Sequence, residues 1–81
     1  MSEEDFYRWL GRYLKEIRKR KRLTQFDICN SFKLSRSSLS NVEAGRHHLS
    51  IYHLYQLLYI LEKPFGQFLD SIQEQINQNR V

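Results

Sequence analysis

Four side chains between residues 36 and 41 can form hydrogen bonds and carry no negative charge: Arg36, Ser37, Ser40 and Asn41. An arginine fork fits the acceptors of guanine, an asparagine amide fits adenine, and serine fits either base edge. An ordinary solvated polar surface is the alternative reading of the same residues. Their expected place on the exposed side of a short helix favours contact with base edges, most strongly for Arg36 and Asn41.

The local sequence predicts two short helices that hold these residues. Thr24, followed by Asp27 three residues later, predicts the start of a helix that ends near Phe32. Ser35 predicts the start of the next helix, residues 36–44, for which Ser35 and Ser38 are only capping residues. Leu39 and Val42 give that helix its buried side, Gly45 ends it, and the pair Lys33-Leu34 forms a tight turn before it.

Three longer helices are expected around this pair. The first runs from Glu3 to Arg20 after a Ser2 cap, and a fourth follows Ser50 and ends before Pro64. The predicted buried positions of the first and fourth helices are Phe6, Trp9, Leu10, Tyr13, Leu14 and Ile17, and Ile51, Leu54, Leu57, Leu58 and Leu61. A fifth spans about 65–77. The predicted fold class is all-α: a compact five-helix orthogonal bundle forming a single domain over residues 1–81.

Composition limits the class of protein. A single cysteine excludes an internal disulfide framework and a four-cysteine zinc site, and no apolar run is long enough for a membrane span. The N-terminal segment MSEEDFYRWL lacks the order of a signal peptide, so we expect a cytoplasmic location.

Charge is distributed unevenly along the chain. Residues 8–46 contain eleven Lys or Arg and three Asp or Glu, a balance of +8, whereas the rest contain two and six, a balance of −4. This asymmetry fits a face that binds a polyanion, and it fits a solvated charged surface equally well.

The stretch GRYLKEIRKRKRLTQFDICNSFKLSRSSLSNVEAGRHHLSIYHLYQLLYILEKPFGQFL resembles the helix-turn-helix domain of the lambdoid phage repressors and Cro, also called the xenobiotic-response-element family. The most specific marks are Thr24-Gln25, the run Ser35 to Ser38, and Glu43-x-Gly45-Arg46. The resemblance covers about Leu10 to Leu69.

The resemblance implies roles for individual residues. Arg36, Ser37 and Asn41 would read bases, with Ser40 on the rim, while Gln25 would bind a phosphate and brace the recognition helix. Arg46 would hold a phosphate, and Arg18 would form a partly buried ion pair with Glu43. That leaves the remaining expected backbone-phosphate contacts to Arg20, Lys21 and Arg22.

Two positions depart from the family pattern. Lys33 stands where glycine is usual, which predicts a left-handed backbone, tolerable if Lys33 gains a phosphate contact. Cys29 stands where alanine is usual and is expected to behave as a small buried residue rather than as a redox sensor.

The fifth helix carries more apolar residues than a small core needs, which favours a homodimer through Phe65, Phe68, Leu69, Ile72 and Ile76 over simple closure of the core. No separate oligomerisation or ligand-sensing domain is expected after Val81. Tyr52, Tyr55 and Tyr59 are expected in core or interface packing rather than in a base-stacking platform.

The expected function is sequence-specific binding of double-stranded DNA by a transcription regulator, of the kind found among phage or plasmid repressors and restriction-modification controller proteins. An antitoxin-type module that neutralises a partner protein is the alternative; whether a toxin, RNA polymerase or another protein binds is left open. The sequence predicts no enzymatic activity, cofactor, metal site or membrane partner; His47, His48 and His53 have no metal-ligand spacing.

Overall fold

The computed structural model describes residues 1–78, and residues 79–81 of the expected domain lie outside the described part. Five helices follow one another: α1 (Glu3–Arg20), α2 (Gln25–Ser31), α3 (Arg36–Glu43), α4 (Ile51–Ile60) and α5 (Phe65–Gln78). No strand occurs within the described residues. The all-α prediction with five helices is confirmed.

Side-chain caps fix the N-termini of the first four helices. In each case the cap hydroxyl, from Ser2, Thr24, Ser35 or Ser50, accepts a hydrogen bond from the backbone N–H three residues later. Two of these caps are reciprocal, because the carboxylates of Asp5 and Asp27 accept from the backbone N–H groups of Ser2 and Thr24. These hydrogen bonds stabilise the ionised carboxylate and lower the pKa of both aspartates.

The C-terminal ends of α1, α3 and α4 share one geometry. After each helix a residue with positive φ is followed by a residue whose N–H bonds back five positions, as in a Schellman motif. The predicted stop at Gly45 is confirmed, with φ of 76°. The other two positions are Arg22 and Glu62, with φ of 58° and 55°. Because neither is a glycine, the sequence did not predict these two turns.

The turn between α2 and α3 differs from the prediction. Lys33 is not among the residues with positive φ, so the expected left-handed backbone there is wrong. The chain changes direction one residue earlier, because Phe32 is extended (φ −161°, ψ 168°). The N–H of Leu34 then donates to the carbonyl of Phe32 at 2.8 Å, which closes a three-residue turn around Lys33 without the steric cost of the left-handed region.

One hydrophobic core joins all five helices. Its buried residues are Leu10, Leu14, Ile17, Ile28, Leu39, Val42, Leu54, Leu57, Leu58, Leu61 and Phe68. Phe6, Trp9 and Tyr13 pack against it from α1. At the crossing of α1 and α3 there is no room for a side chain on Gly11, since a Cβ there would lie 2.3 Å from the carbonyl oxygen of Val42. This close approach fixes the position of α3 on the core.

The predicted inward stripe of α4 is wrong at its first member. Ile51 is 72% exposed, because it is the first residue of the helix and lies a full turn before Leu54, where the core begins. Core packing of Tyr52, Tyr55 and Tyr59 is wrong as well: all three are exposed, on the side of α4 opposite its buried leucines.

Candidate nucleic-acid interface

The side of α3 away from the core carries Arg36, Ser37, Ser40 and Asn41, which we call the polar flank of α3. Leu39 and Val42 bury the opposite side, and Ser35 caps the first turn. Arg36 and Ser37 are exposed, whereas Ser40 and Asn41 are half-buried. No other described part of the chain covers the exposed pair, so the start of α3 is open to a ligand from outside.

Two short-range contacts organise the polar flank. The hydroxyl of Ser35 lies 3.3 Å from that of Ser37 and donates to that of Ser38 at 2.8 Å, which keeps the first turn of serines oriented. At the other end, Nε of Arg46 donates to Oδ1 of Asn41 at 3.1 Å. The guanidinium of Arg46 therefore lies beside the flank, and its terminal NH₂ groups can contact an anion while Nε holds the amide of Asn41.

A buried ionic network fixes α3 to the ends of two other helices. Nε and Nη2 of Arg18 donate to the two carboxylate oxygens of Glu43 at 2.7 and 3.0 Å. Nη1 of Arg18 donates to the carbonyl of Leu23, and Nε2 of Gln25 donates to Glu43 at 3.0 Å. The carboxylate is thereby saturated with donors, as a buried charge requires. Gln25 braces α3 through this bond, and the second N–H of its amide and its side-chain oxygen are left for other partners.

A groove of about 610 Å³ runs between the end of α1, the start of α2 and the start of α3. Lys19, Arg22 and Arg36 contribute cations to its walls, and the exposed ring of Phe26 lines it as well. We call it the cationic groove. It brings together charges that are 17 residues apart in the sequence, and it joins the polar flank to the basic end of α1.

The cationic groove includes two residues that the sequence reasoning missed, Lys19 and Phe26. A periodicity signal existed for Phe26, which is two positions before the buried Ile28 and so falls on the opposite side of α2. Lys19 lies in the last turn of α1, and Arg22 lies in the turn that follows the helix, so no helical spacing relates the two.

Other expected phosphate contacts lie apart from the cationic groove. Arg20 lies 3.7 Å from Glu16 and Lys21 lies 3.9 Å from Glu62, both in exposed pairs that hold a side chain only weakly. Lys33 is exposed on the turn before α3.

The histidines and the cysteine have structural surroundings. His48 stacks on Tyr7 with 4.5 Å between ring centroids, and its Nε2 lies 3.2 Å from Glu3. Burial raises the pKa of the Cys29 thiol, which therefore stays protonated at neutral pH and packs against the core. Within residues 1–78 no cluster of three or more His, Cys, Asp or Glu could hold a metal ion.

The residues expected at a dimer interface have different environments. Phe68 is 2% exposed in the core of its own protomer, so its side chain cannot reach a second molecule in this fold. Phe65 and Ile72 are half-buried against the same core. Only Leu69 and Ile76, at 52% and 40%, present apolar surface outward from α5.

None of the helices in residues 1–78 has the length and apolar character needed to cross a membrane. No curated protein is a significant match to the chain. The family model described as a helix-turn-helix domain matches residues 9–57, which run from the middle of α1 through most of α4. This span contains the ionic network, the cationic groove and the polar flank of α3. The chain therefore belongs to the helix-turn-helix domain family of DNA-binding proteins.

Proposed function

We propose that this protein is a sequence-specific transcription regulator of the lambdoid repressor and Cro type, which inserts α3 into the major groove of double-stranded DNA. The proposal rests mainly on the polar flank of α3: four hydrogen-bonding side chains without a carboxylate, two exposed and two half-buried, at the end of a cationic groove. An α-helix fits the major groove, where every base pair presents a distinct pattern of donors and acceptors.

Each member of the flank has a chemically distinct part in this proposal. Arg36, exposed at the first turn of α3, reads guanine through its fork of donors. Asn41 reads adenine, with its amide oriented by Arg46. Ser37 and Ser40 contact either base edge and add little discrimination on their own. The buried network of Arg18, Glu43 and Gln25 supports this role by fixing the end of α3 before DNA arrives.

Affinity for DNA comes from contacts to the phosphates on both sides of the major groove. Lys19 and Arg22 approach one strand from the cationic groove, and Arg46 approaches from the end of α3. Lys33, Arg20 and Lys21 lie outside the cationic groove and contribute less. Gln25 lines the groove, and the second N–H of its amide can donate to a phosphate. These contacts position the protein and contain no sequence information.

A homodimer on a palindromic operator completes the proposal. One protomer presents a single short recognition helix, and two related by a two-fold axis read half-sites about 34–36 Å apart. Two recognition helices double the number of base pairs read, which raises specificity over a large excess of competing DNA.

Selection of bound duplexes from a random pool, at a stated salt concentration, tests this function. We expect enrichment of a palindrome with half-site centres one helical turn apart and with a guanine at one position of each half-site. Enrichment of no common sequence, or of single-stranded contaminants in place of duplexes, would refute sequence-specific duplex binding.

A further inference from the structure

The outward side of α4 carries a cluster of exposed apolar residues, Ile51, Tyr52, Tyr55 and Tyr59, which we call the tyrosine face. All four are between 54% and 74% exposed, although tyrosine and isoleucine are usually at least half-buried in a folded protein. The family assignment does not account for them, because none belongs to the polar flank or to the cationic groove.

The composition of α4 is that of an interface rather than of a solvated helix. Its ten residues, IYHLYQLLYI, include no Asp, Glu, Lys or Arg, in a chain of which 27% is charged. Buried centres of protein interfaces are depleted in charge and enriched in tyrosine. If solvent alone covered the outward side of α4, tyrosines there would add no stability over charged residues.

The shape of the tyrosine face is that of a ridge between two grooves. Tyr59, the most exposed of the tyrosines at 74%, separates a groove of about 430 Å³ beside Phe32 and Tyr55 from one of about 620 Å³ beside Pro64. Across a two-fold axis Tyr59 of one copy can enter a groove of the other, which is the geometry of a contact between two identical surfaces.

The tyrosine face supplies a large share of the area that a dimer needs. A fully exposed tyrosine side chain presents about 200 Å², so the three tyrosines together offer about 400 Å². This is about half of the roughly 800 Å² that each partner buries in a stable interface, before Ile51 and the groove walls are included. On α5, Leu69 and Ile76 together expose only about as much as one aliphatic side chain.

Charge at the rim fits a second copy of the chain. Glu62 and Lys63 are adjacent at the edge of the larger groove, and a two-fold axis that passes between them places the acid of one copy near the base of the other. The exposed pair of Glu62 with Lys21 holds the acid only weakly. Each copy carries a net charge of +4, and an uncharged contact face lets two such molecules associate without bringing their basic surfaces together.

We propose that the tyrosine face is the surface through which two copies of this chain associate, in place of the apolar stripe of α5. The proposal names the contact surface of the homodimer in the proposed function. Only the role of that dimer on DNA rests on the proposed function, since the association itself requires no DNA.

The test is sedimentation equilibrium without DNA over a range of protein concentrations. Tyr59→Lys places a charge in the centre of the face and should weaken dimerisation by about a hundredfold or more. Leu69→Lys is the matched control, because it adds the same charge at an exposed apolar position on α5 and should leave the dimer unchanged. Tyr52→Lys is a second disruption, to be used if thermal unfolding shows that Tyr59→Lys lowers stability.

The proposal stands if the wild-type protein and Leu69→Lys are dimers and the face variant is a monomer. A monomeric wild-type protein, a dimeric Tyr59→Lys or a monomeric Leu69→Lys would each overturn it. Binding of the same proteins to a mixed-sequence duplex at low salt separates the two claims. Loss of dimers with retained duplex binding per protomer supports both, whereas dimers that bind no duplex uphold the face and refute the proposed function.

Discussion

At the scale of single residues, the polar flank and the cationic groove differ in what each side chain can do. Arg36 belongs to both, since it lines the groove and begins α3. Lys19 and Arg22 lie only in the groove, where a charge can meet a phosphate but not a base edge. Arg22 also keeps a left-handed backbone that a glycine would adopt without cost. The presence of a cation at this strained backbone position fits a contact with DNA.

Replacement of Arg22 by glutamine should weaken binding to all duplexes alike and reduce the salt slope of log K by about one, because one phosphate contact is lost. Fluorescence anisotropy titrations at several salt concentrations measure this slope. Arg12→Gln is the control, since Arg12 lines a separate groove between α1 and α5. An identical slope for Arg22→Gln and the wild-type protein would contradict the assigned phosphate contact.

Glu43→Ala should destabilise the fold by about 3–5 kcal/mol, because it leaves the buried guanidinium of Arg18 without its counter-charge. Urea denaturation measures the free energy of unfolding. Glu16→Ala is the control, because it breaks the exposed ion pair with Arg20, and it should lower the free energy of unfolding by about 1 kcal/mol or less. Equal effects of the two substitutions would show that the network does not anchor α3.

At the scale of helices, residue types near the helix ends predict where some of the helices begin and end. The N-terminal caps are predictable, because a serine or threonine hydroxyl bonds to a backbone N–H only three residues later in the chain. The C-terminal turns at Arg22 and Glu62 are not predictable from residue type, since neither residue favours positive φ.

Glu62→Gly should raise the free energy of unfolding by about 0.5–1 kcal/mol. The substitution relieves the strain of the left-handed backbone, and the larger entropy that glycine loses on folding offsets part of this gain. Thermal unfolding measures the change. The opposite substitution, Gly45→Ala, should destabilise, because its Cβ would lie 2.7 Å from the Cα of Arg8 and φ is positive there. A destabilised Glu62→Gly would show that the pair with Lys21 matters more than the backbone strain.

Asp27 makes the start of α2 sensitive to acid. The N–H and hydroxyl of Thr24 lower the pKa of Asp27 below its ordinary value of 3.8, so the ionised carboxylate stabilises the folded state above that pH. This contribution is lost as pH falls below 3.8 and through the lowered pKa. The stability difference between the wild-type protein and Asp27→Asn, measured by urea denaturation, should therefore shrink from pH 6 to pH 2. A difference independent of pH would contradict the role of the charge.

At the scale of the whole molecule, periodicity predicted which helices exist but not how far their neighbours cover them. Ile51 lies on the same angular stripe as Leu58, yet the buried part of α4 begins only at Leu54, one turn after Ile51. Likewise, the spacing of Tyr52, Tyr55 and Tyr59 defines a common side of α4 without indicating whether protein or water lies against it. The close crossing at Gly11 depends on α3, 31 residues later in the chain, and no local pattern signals it.

Residue type and spacing predicted the candidate site only where it lies within one helix, and the links of Arg18 and Gln25 to α3 were implied by the family resemblance alone. The members of the polar flank are close in sequence, so residue type and helical spacing are enough to group them. The cationic groove joins the ends of three helices, and Phe26 and Lys19 enter it only through the packing of α1, α2 and α3. The bond between Gln25 and Glu43 likewise joins residues 18 positions apart, for which spacing gives no signal.

Sequence-specific binding depends on Arg36, which we expect to read a base pair from the polar flank of α3. The direct measurement compares the affinities of wild-type protein and Arg36→Ala for the selected duplex and for each of its single-base-pair variants. We predict a loss of about 1–3 kcal/mol on the selected duplex and no remaining preference at one base pair of each half-site, with the other preferences intact. An unchanged preference at every base pair, or an equal loss on all duplexes, would contradict the claim.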